Sequence, residues 1–236
     1  MKWNRNEIDR LSPILEQLSA DLAPVDGKRI LVVCSAGGEV AIRLAEMMEV
    51  GKVTGLELDP EALELSRRAA HEMGLDGMVE FLPAEMDRIP MDEASFDAVV
   101  SEFIVYPTSS PTQISQVEMN RVLIPGGRMI LTDVIVTKPI PQSVREDLEI
   151  IGLDTLCEGT QDEFRAWMAE AGLIHVEVAD LTSILRPVWE ERREADRAIS
   201  HWQGYAYLLD DQDTRLGEAI YYIYVRGEKP NDRSMG

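Results

Sequence analysis

Residues 32–41, VVCSAGGEVA, join an apolar segment to a helical pattern and form the first candidate ligand-binding loop. A strand that turns directly into a helix points free backbone N–H groups at whatever lies above the sheet. Glycines in such a turn allow it to tighten and let a ligand approach the backbone. Gly37 and Gly38 are present, whereas Cys34 and Ala36 stand where glycine is usual. The loop alone indicates either a ligand site or a plain strand-to-helix turn.

Two further segments supply polar groups at the same predicted edge. Glu57 ends the second apolar segment about 20 residues after the loop, where a carboxylate can hold ribose hydroxyls. Glu85 and Met86 follow the third segment, where a carboxylate can accept from an exocyclic amine and a thioether can contact a ring. Each also has a structural interpretation: Glu57 as a solvated carboxylate beside the helix cap Asp59, and Met86 as a core residue. Their combined spacing favours a nucleoside ligand.

These polar groups must be positioned by strands and helices, which the apolar and amphipathic patterns of the sequence predict. The predicted strands are 29–34, 52–58, 79–83, 96–103 and 128–136, and the predicted helices between them are 39–49, 60–73 and 112–123. A preceding helix begins near Ser12 and Pro13, with one apolar face formed by Ile14, Leu15, Leu18 and Leu22. Strands that alternate with helices predict a parallel sheet covered on both faces.

The last third of the chain departs from this alternation. Thr160 and Glu163 have capping-box spacing, and Gly172 can end the same helix. Beyond it we expect strands at 174–183 and 219–227, a charged helical stretch from 187 to about 210, and a frayed tail at 229–236.

The successive segments resemble the motifs of class I S-adenosylmethionine-dependent methyltransferases. The resemblance is carried by RILVVCSAGGEVAIRLAE, VTGLELDPEALELSR, VEFLPAEMDRIPMDEASFDAVVSE and MNRVLIPGGRMILTDV, in this order from about residue 28 to 135. It implies a Rossmann-like, doubly wound, seven-stranded α/β sheet, mostly parallel with an antiparallel last strand. It also implies one methyltransferase domain over 1–236, divided into a helical cap at 1–27, a cofactor-binding core at 28–136, an acceptor-side half at 137–228 and the tail.

The resemblance assigns residues to the cofactor S-adenosylmethionine. The first loop would lie along its methionine part, Glu57 would bind the ribose hydroxyls, and the segment after the third strand would hold the adenine. The full implied set is Cys34, Ser35, Ala36, Gly37, Gly38, Glu57, Leu58, Glu85, Met86, Ser101 and Glu102. Val32 stands where the family often has an acidic residue, a departure that bears on affinity rather than on the fold.

The acceptor side is expected to combine the N-terminal helix, the loops after the fourth and fifth strands, and the insertion before the last strand. Candidate polar groups there are Glu102, Tyr106, Asp133 and His201, of which Tyr106 and His201 are the predicted catalytic residues. Trp202, Tyr205 and Tyr207 either line an apolar pocket or pack in the core. Because methyl transfer depends mainly on alignment, no general base is assigned.

The composition of the chain limits the classes of molecule that it is expected to bind. The formal net charge of -20 over 236 residues favours solubility and disfavours nucleic acid and membrane surfaces as partners. The resemblance implies a small-molecule acceptor, which we expect to be uncharged or cationic. Two cysteines make no disulfide framework, three scattered histidines make no zinc site, and no metal is expected. The segment MKWNRNEIDR has no apolar core and no small-residue cleavage site, so we expect no signal peptide. The lack of a disulfide framework predicts a reducing, cytoplasmic location. A homodimer is left open.

Three alternatives compete with the methyltransferase interpretation. The first is a cofactor-binding module of the same fold without methyl transfer. The context of 83–100 and 121–128 argues against a nicotinamide-dependent oxidoreductase. A protein-substrate methyltransferase is disfavoured because the last ~50 residues are too few for a docking domain.

The segment 132–178 is also similar to arsenite and quinone-biosynthesis methyltransferases. Cys157 lies near the position where the arsenite enzymes have a metalloid-binding cysteine. A soft trivalent metalloid needs several thiols, and Cys34 belongs to the cofactor loop. Arsenite is therefore not expected, and Cys157 is interpreted as a small buried hydrophobe.

Overall fold

The computed structural model describes residues 12–23, 27–33, 38–47, 51–84, 88–101, 114–142, 145–146, 157–184, 186–187 and 218–231. The helices are α1 (Ser12–Leu22), α2 (Glu39–Met47), α3 (Pro60–Glu72), α4 (Ile114–Val122) and α5 (Gln161–Glu170). The strands are β1 (Arg29–Val33), β2 (Lys52–Glu57), β3 (Val79–Pro83), β4 (Phe96–Ser101), β5 (Leu123–Val136), β6 (Cys157–Glu158), β7 (Ile174–Asp180) and β8 (Ile220–Glu228).

The strands form one sheet in the order β3-β2-β1-β4-β5-β8-β7, with β6 pairing beside β5. Strands β1 to β6 pair in parallel, whereas β8 is antiparallel to both β5 and β7. The predicted doubly wound sheet with an antiparallel last strand is confirmed. The chain moves outward from β1 to β3 and then returns to place β4 on the other side of β1, so a crevice opens at the carboxyl ends of β1 and β4.

Helices cover both faces of the sheet because the central strands β1, β2 and β4 are buried on both sides. Leu18 of α1, Leu44 of α2 and Leu63 of α3 pack with the sheet in one apolar cluster. Met119 of α4 and Phe164 of α5 belong to the cluster on the other face. Full burial of each such side chain contributes roughly 1.5–3 kcal/mol, so the two layers hold the sheet edges in fixed positions.

Two predicted helix caps are confirmed. The Asp59 carboxylate accepts hydrogen bonds from the backbone N–H groups of Glu61 and Ala62, and Pro60 follows at the first helical position of α3. Thr160 and Glu163 form a reciprocal capping box at the start of α5. Within the described ranges, no helix is long and apolar enough to cross a membrane.

Strand β5 begins at Leu123 rather than at residue 128, because the Pro-Gly-Gly turn interrupts the pairing without ending it. The register passes from Phe96 opposite Leu123 to Ala98 opposite Arg128, so the extra residues of β5 bulge out. Gly126 adopts a φ of 77°, which suits glycine, and its N–H donates to the Lys229 carbonyl at 2.9 Å.

The prediction of a frayed tail from residue 229 is wrong for the residues described. The Lys229 ammonium donates to the carbonyls of Asn120, Arg121 and Leu123, at 2.9, 3.3 and 2.7 Å. These carbonyls lie at the end of α4 and the start of β5, where a cation is favoured by the helix dipole. The segment after β8 is therefore attached to the sheet through residue 231, and residues 232–236 lie outside the described part.

Two further strands, β7 and β6, differ from the prediction. Strand β7 ends at Asp180 rather than 183, because residues 182–184 form a helical turn. The two-residue strand β6 was not predicted, since it is too short to give a periodic signal. The predicted helix at 187–210 lies outside the described residues except for residue 187, which is helical.

Helix α1 is attached to β8 by a buried carboxylate. Asp21 is 8% exposed, and its Oδ2 accepts from the Tyr224 hydroxyl at 2.7 Å and from Gln17 at 3.0 Å. Its Oδ1 accepts from the Arg226 guanidinium at 2.6 Å. Desolvation raises the pKa of Asp21, but the hydrogen bonds from Tyr224 and Gln17 and the charge of Arg226 outweigh it and lower the pKa overall.

Candidate active site

The carboxyl ends of β1, β2 and β4 lie side by side and bring several predicted site residues together. Val33, the last residue of β1, is in register with Leu56 of β2 and with Ser101 of β4. Glu57 follows Leu56 directly as the last residue of β2. We call this region the cofactor edge, defined by Val33, Glu57 and Ser101.

The carboxylate of Glu57 has one oxygen in use and one oxygen open. Glu57 is 8% exposed, and its Oε1 accepts from the backbone N–H groups of Leu58 at 2.9 Å and Asp59 at 3.2 Å. Its Oε2 is buried and has no hydrogen-bond partner among the described residues. A buried acceptor without a donor costs roughly 1–3 kcal/mol, so this oxygen is suited to a ligand donor.

Ser101 offers a second polar group at the cofactor edge. Its side chain is fully buried, and its Oγ has no partner in the described part of the chain. It stands in register with Val33 and with Leu131 of β5, whose side chains belong to the cluster beneath α4 and α5. The hydroxyl can donate or accept a hydrogen bond at the point where the crevice opens.

Leu58 lies at the rim of the cofactor edge with its side chain 61% exposed. Its backbone is held between the Glu57 carboxylate and the Asp59 cap of α3. An exposed apolar side chain beside an open acceptor can contact the flat face of a ring. The structure therefore places an open hydrogen-bond acceptor and an exposed apolar side chain on consecutive residues.

Gly38 is constrained by packing as well as by its predicted role in the loop. It adopts a φ of 81°, and a Cβ added there would lie 2.7 Å from the Ser66 Cβ and 2.7 Å from the Phe81 ring. Its carbonyl accepts from the Ile42 N–H at 2.9 Å in the first turn of α2. Glycine is required here because α3 and β3 approach the start of α2 closely.

Residues 84 and 88–91 flank the predicted adenine contacts Glu85 and Met86. On one side, the Ala84 N–H donates to the Glu57 carbonyl at 3.2 Å. On the other side, the Ile89 N–H donates to Glu118 of α4 at 3.0 Å. Arg121 donates to the carbonyls of Ile89 at 2.9 Å and Met91 at 2.8 Å.

Glu118 and Arg121 were missed by the sequence interpretation. Their spacing of three residues in a helix is the available signal, because it allows an ion pair, and their side chains do meet at 2.7 Å. The backbone groups that they bind lie about 30 residues earlier in the chain and gave no local signal.

Several predicted site residues lie outside the described residues. They are Cys34, Ser35, Ala36, Gly37, Glu85, Met86, Glu102, Tyr106 and His201, together with Trp202, Tyr205 and Tyr207. Asp133 and Cys157 lie in β5 and β6, but their side chains are not described. In the part of the chain that is described, no group of three or more His, Cys, Asp or Glu side chains could hold a metal ion.

A sequence model described as a methyltransferase domain matches residues 24–172. The chain belongs to this family. The match covers more than half of the chain and ends before β7, so β7 and β8 lie beyond it. It includes Val33, Glu57 and Ser101, the residues that define the cofactor edge.

Relatives of this methyltransferase act on different small molecules, according to their names. The 27-O-demethylrifamycin SV methyltransferase of Amycolatopsis mediterranei (strain S699) is 29% identical over 233 residues, which cover 92% of this chain and 83% of the relative. The arsenite methyltransferase of Halobacterium salinarum (strain ATCC 700922 / JCM 11081 / NRC-1) is 27% identical over 212 residues. That alignment covers 89% of this chain but 48% of the relative, so the two proteins differ in length.

The fold of this methyltransferase is also found in solved structures. Geranyl diphosphate methyltransferase in complex with S-adenosylmethionine has a TM-score of 0.76 at 20% identity, covering 92% of this chain and 85% of that one. The family and the fold together identify the chain as a class I S-adenosylmethionine-dependent methyltransferase of the small-molecule type. S-adenosylmethionine is its cofactor.

Proposed function

We propose that this methyltransferase binds S-adenosylmethionine at the cofactor edge through Glu57 and transfers the methyl group to a neutral or cationic small molecule. The carrying observation is the Glu57 carboxylate, in which Oε1 is fixed by two backbone N–H groups and Oε2 is buried without a partner among the described residues. A ribose presents two adjacent hydroxyl donors. Such donors satisfy the open oxygen without any rearrangement of the Glu57 side chain.

Leu58 extends this proposal from the ribose to the base. Its apolar side chain, 61% exposed, would cover one face of the adenine and lose that exposure on binding. Glu85 is proposed to accept from the exocyclic amine, and Met86 to contact the ring.

The remaining cofactor residues are proposed to hold the amino-acid part. The loop Cys34, Ser35, Ala36, Gly37 and Gly38 leads into α2, and backbone N–H groups at the start of a helix bind a carboxylate whatever side chains the loop carries. Ser101 supports this assignment with a buried hydroxyl that has no partner in the described part of the chain. Glu102 follows it in sequence and is proposed to face the amino group or the acceptor.

S-adenosylmethionine supplies an electrophilic methyl group on a sulfonium centre. The task of the protein is to hold the acceptor atom in line with that methyl group and to exclude water. We propose that residues 28–136 bind the cofactor and that residues 137–228 complete the acceptor side, with Tyr106 and His201 as groups that orient the acceptor.

The proposed methyl acceptor is the oxygen atom of a hydroxyl group. The relative that covers 92% of this chain carries the methylated oxygen in its name. The net charge of -20 disfavours anionic acceptors such as phosphates, as well as nucleic acid and membranes. Arsenite is disfavoured because the sequence contains two cysteines and one of them lies in the cofactor loop. A cytoplasmic location completes the proposal, and a homodimer stays an open alternative to a monomer.

Calorimetric titration of S-adenosylhomocysteine tests the binding proposal. We expect micromolar affinity in the wild type and a loss of about 10- to 100-fold in Glu57→Ala, as for a hydrogen bond to a charged group. The matched control is Glu80→Ala on β3, a carboxylate that pairs with Lys52 and Thr54 away from the cofactor edge. Absence of binding at millimolar ligand would refute the proposal.

The ribose contact can be tested on the ligand side as well. The analogue of S-adenosylhomocysteine without ribose hydroxyls should bind the wild type as weakly as Glu57→Ala binds the parent ligand. It should lose little further affinity in Glu57→Ala, because the missing partner is the same. Additive losses would show that Glu57 acts on another part of the ligand.

Turnover is measured as release of S-adenosylhomocysteine with a panel of hydroxyl compounds matched in size but neutral, cationic or anionic. We expect turnover with neutral or cationic members and little with anionic ones. Tight cofactor binding without turnover on any member would favour the alternative of a cofactor-binding module.

A further inference from the structure

We infer that Glu118 and Arg121 of α4 are positioning residues that fix the protein backbone for recognition of the adenine edge. Neither residue belongs to the set that the family resemblance assigns to the cofactor. The inference rests on the proposed function, and specifically on Glu85 and Met86 as the adenine contacts. Its basis is the set of hydrogen bonds that joins α4 to residues 89 and 91.

The two side chains form a closed arrangement with the backbone. Glu118 Oε2 accepts from the Ile89 N–H at 3.0 Å and from Arg121 at 2.9 Å, while Oε1 accepts from Arg121 Nε at 2.7 Å. Arg121 then donates to the carbonyls of Ile89 and Met91 at 2.9 and 2.8 Å. One ion pair therefore binds both the N–H and the carbonyl of Ile89, which fixes the orientation of that residue's backbone.

The ion pair lies in an environment that keeps it formed. Both side chains are only partly exposed, and the hydrogen bonds from Arg121 lower the pKa of Glu118 so that it stays ionised at neutral pH. The Ile89 side chain is buried in the cluster beneath α4. Helix α4 is thus coupled to residue 89 through side-chain packing and through charged hydrogen bonds.

The opposite side of the adenine-contact residues is held by Glu57. The Ala84 N–H donates to the Glu57 carbonyl, so residue 84 is attached to the ribose-binding strand. Residues 84 and 89, which flank Glu85 and Met86 in the sequence, are therefore attached to β2 and to α4. A general stabilising role would change the stability of the protein, whereas a positioning role also changes which base the site prefers.

The experiment compares binding of S-adenosylhomocysteine and S-inosylhomocysteine, which has a carbonyl in place of the exocyclic amine. Loss of a hydrogen bond to a charged group predicts that the wild type prefers the adenosyl ligand by at least about tenfold. In Arg121→Lys the preference should fall to about threefold or less, because one ammonium cannot reproduce the planar fork that binds two carbonyls. Glu118→Gln should reduce the preference in the same direction.

The matched control is Arg128→Lys. Arg128 also donates to two backbone carbonyls, those of Asp21 and Ala23, but it lies in β5 opposite Ala98 of β4 and binds the end of α1 rather than residues 84–91. We expect its ligand preference to equal that of the wild type. The ratio of the two affinities is measured on the folded molecules of each sample, so partial unfolding of a variant changes both affinities equally and leaves the ratio unchanged.

Three results would overturn the inference. The first is a wild-type preference retained in full in Arg121→Lys and Glu118→Gln. The second is equal binding of both ligands by the wild type, which would leave no adenine-edge recognition to position while the proposed function stands. The third is binding of neither ligand by the wild type, which would remove the proposed function as well.

Discussion

Glu57, the last residue of β2, and Asp21, which attaches α1 to β8, are two carboxylates with the same exposure, 8%. Both oxygens of Asp21 are in use, because Tyr224, Gln17 and Arg226 donate to them. In Glu57 the Oε1 atom accepts two backbone hydrogen bonds, whereas the Oε2 atom has no partner among the described residues. Burial alone does not distinguish the two sites, but the number of satisfied acceptors does.

The difference separates an attachment from a binding site. A carboxylate with all its acceptors satisfied stabilises the fold and has nothing left for a ligand. A carboxylate that uses one oxygen to fix its own orientation and leaves the other open is preorganised for a donor. We therefore expect substitutions at Asp21 to change stability and substitutions at Glu57 to change ligand affinity.

Asp21→Ala should produce the largest change in stability, because it removes the common acceptor of three donors. We expect a loss of about 3 kcal/mol in the free energy of unfolding, near the lower end for breaking a buried ion pair, since Arg226 keeps Glu177 as a partner. Urea denaturation measures it. The affinity for S-adenosylhomocysteine should stay within about twofold of the wild type. A tenfold loss would show that the sites of Asp21 and Glu57 are not independent.

Gly38→Ala sharpens the comparison, because Gly38 belongs to the predicted ligand loop but is constrained by packing. The positive φ and the 2.7 Å approach to Ser66 and Phe81 predict a loss of about 2 kcal/mol of stability. Thermal unfolding measures this loss. Ser66→Gly should recover part of it in the double variant, because it removes the Cβ atom that the new methyl group meets. Equal stability of Gly38→Ala and the wild type would contradict the packing explanation.

The position of Glu57 at the end of β2 was predicted from the sequence, whereas the contacts of Asp21 were not, and the reason is physical. Glu57 follows a glycine loop at a spacing set by one strand–helix–strand unit, so its position is visible locally. Asp21 and Tyr224 are separated by 203 residues, and no local pattern links them. The same limit applies to Glu118 and Arg121, whose pairing is local but whose backbone partners are not.

The boundaries of the strands and helices show the same limit, since only those set by local sequence could be predicted. Strand β3 and both predicted caps rest on local chemistry and were predicted correctly. The start of β5 was not, because the Pro-Gly-Gly sequence is typical of a turn and only pairing with β4 shows that the strand continues around it. The attachment of Lys229 to the end of α4 likewise depends on contacts that form after the sheet is complete.

Acid stability provides a third test. The pKa of Asp21 is lowered in the folded state, so its stabilising contribution is present above its ordinary value of 3.8 and is lost as pH falls below it. The free energy of unfolding should decline more steeply below about pH 4 in the wild type than in Asp21→Asn, which has no proton to bind. If the free energy of unfolding fell equally steeply with pH in the two proteins below about pH 4, Asp21 would not be the titrating group.

Leu58→Ala should have the smallest effect on stability. Its side chain is 61% exposed, so we expect a change in the free energy of unfolding within about 0.5 kcal/mol. The affinity for S-adenosylhomocysteine should fall by about threefold through loss of apolar contact with the base. Val117 of α4, which is 50% exposed, provides the control, since Val117→Ala should change neither quantity.

The central claim is that the open oxygen of Glu57 binds the cofactor and the satisfied oxygens of Asp21 do not. Its most direct test measures, for Glu57→Ala and Asp21→Asn, both the affinity for S-adenosylhomocysteine and the free energy of unfolding. We predict that Glu57→Ala loses at least about tenfold in affinity with a stability loss of about 1 kcal/mol, from its two backbone hydrogen bonds. Asp21→Asn should lose stability and keep its affinity. Unchanged affinity in Glu57→Ala would contradict the account.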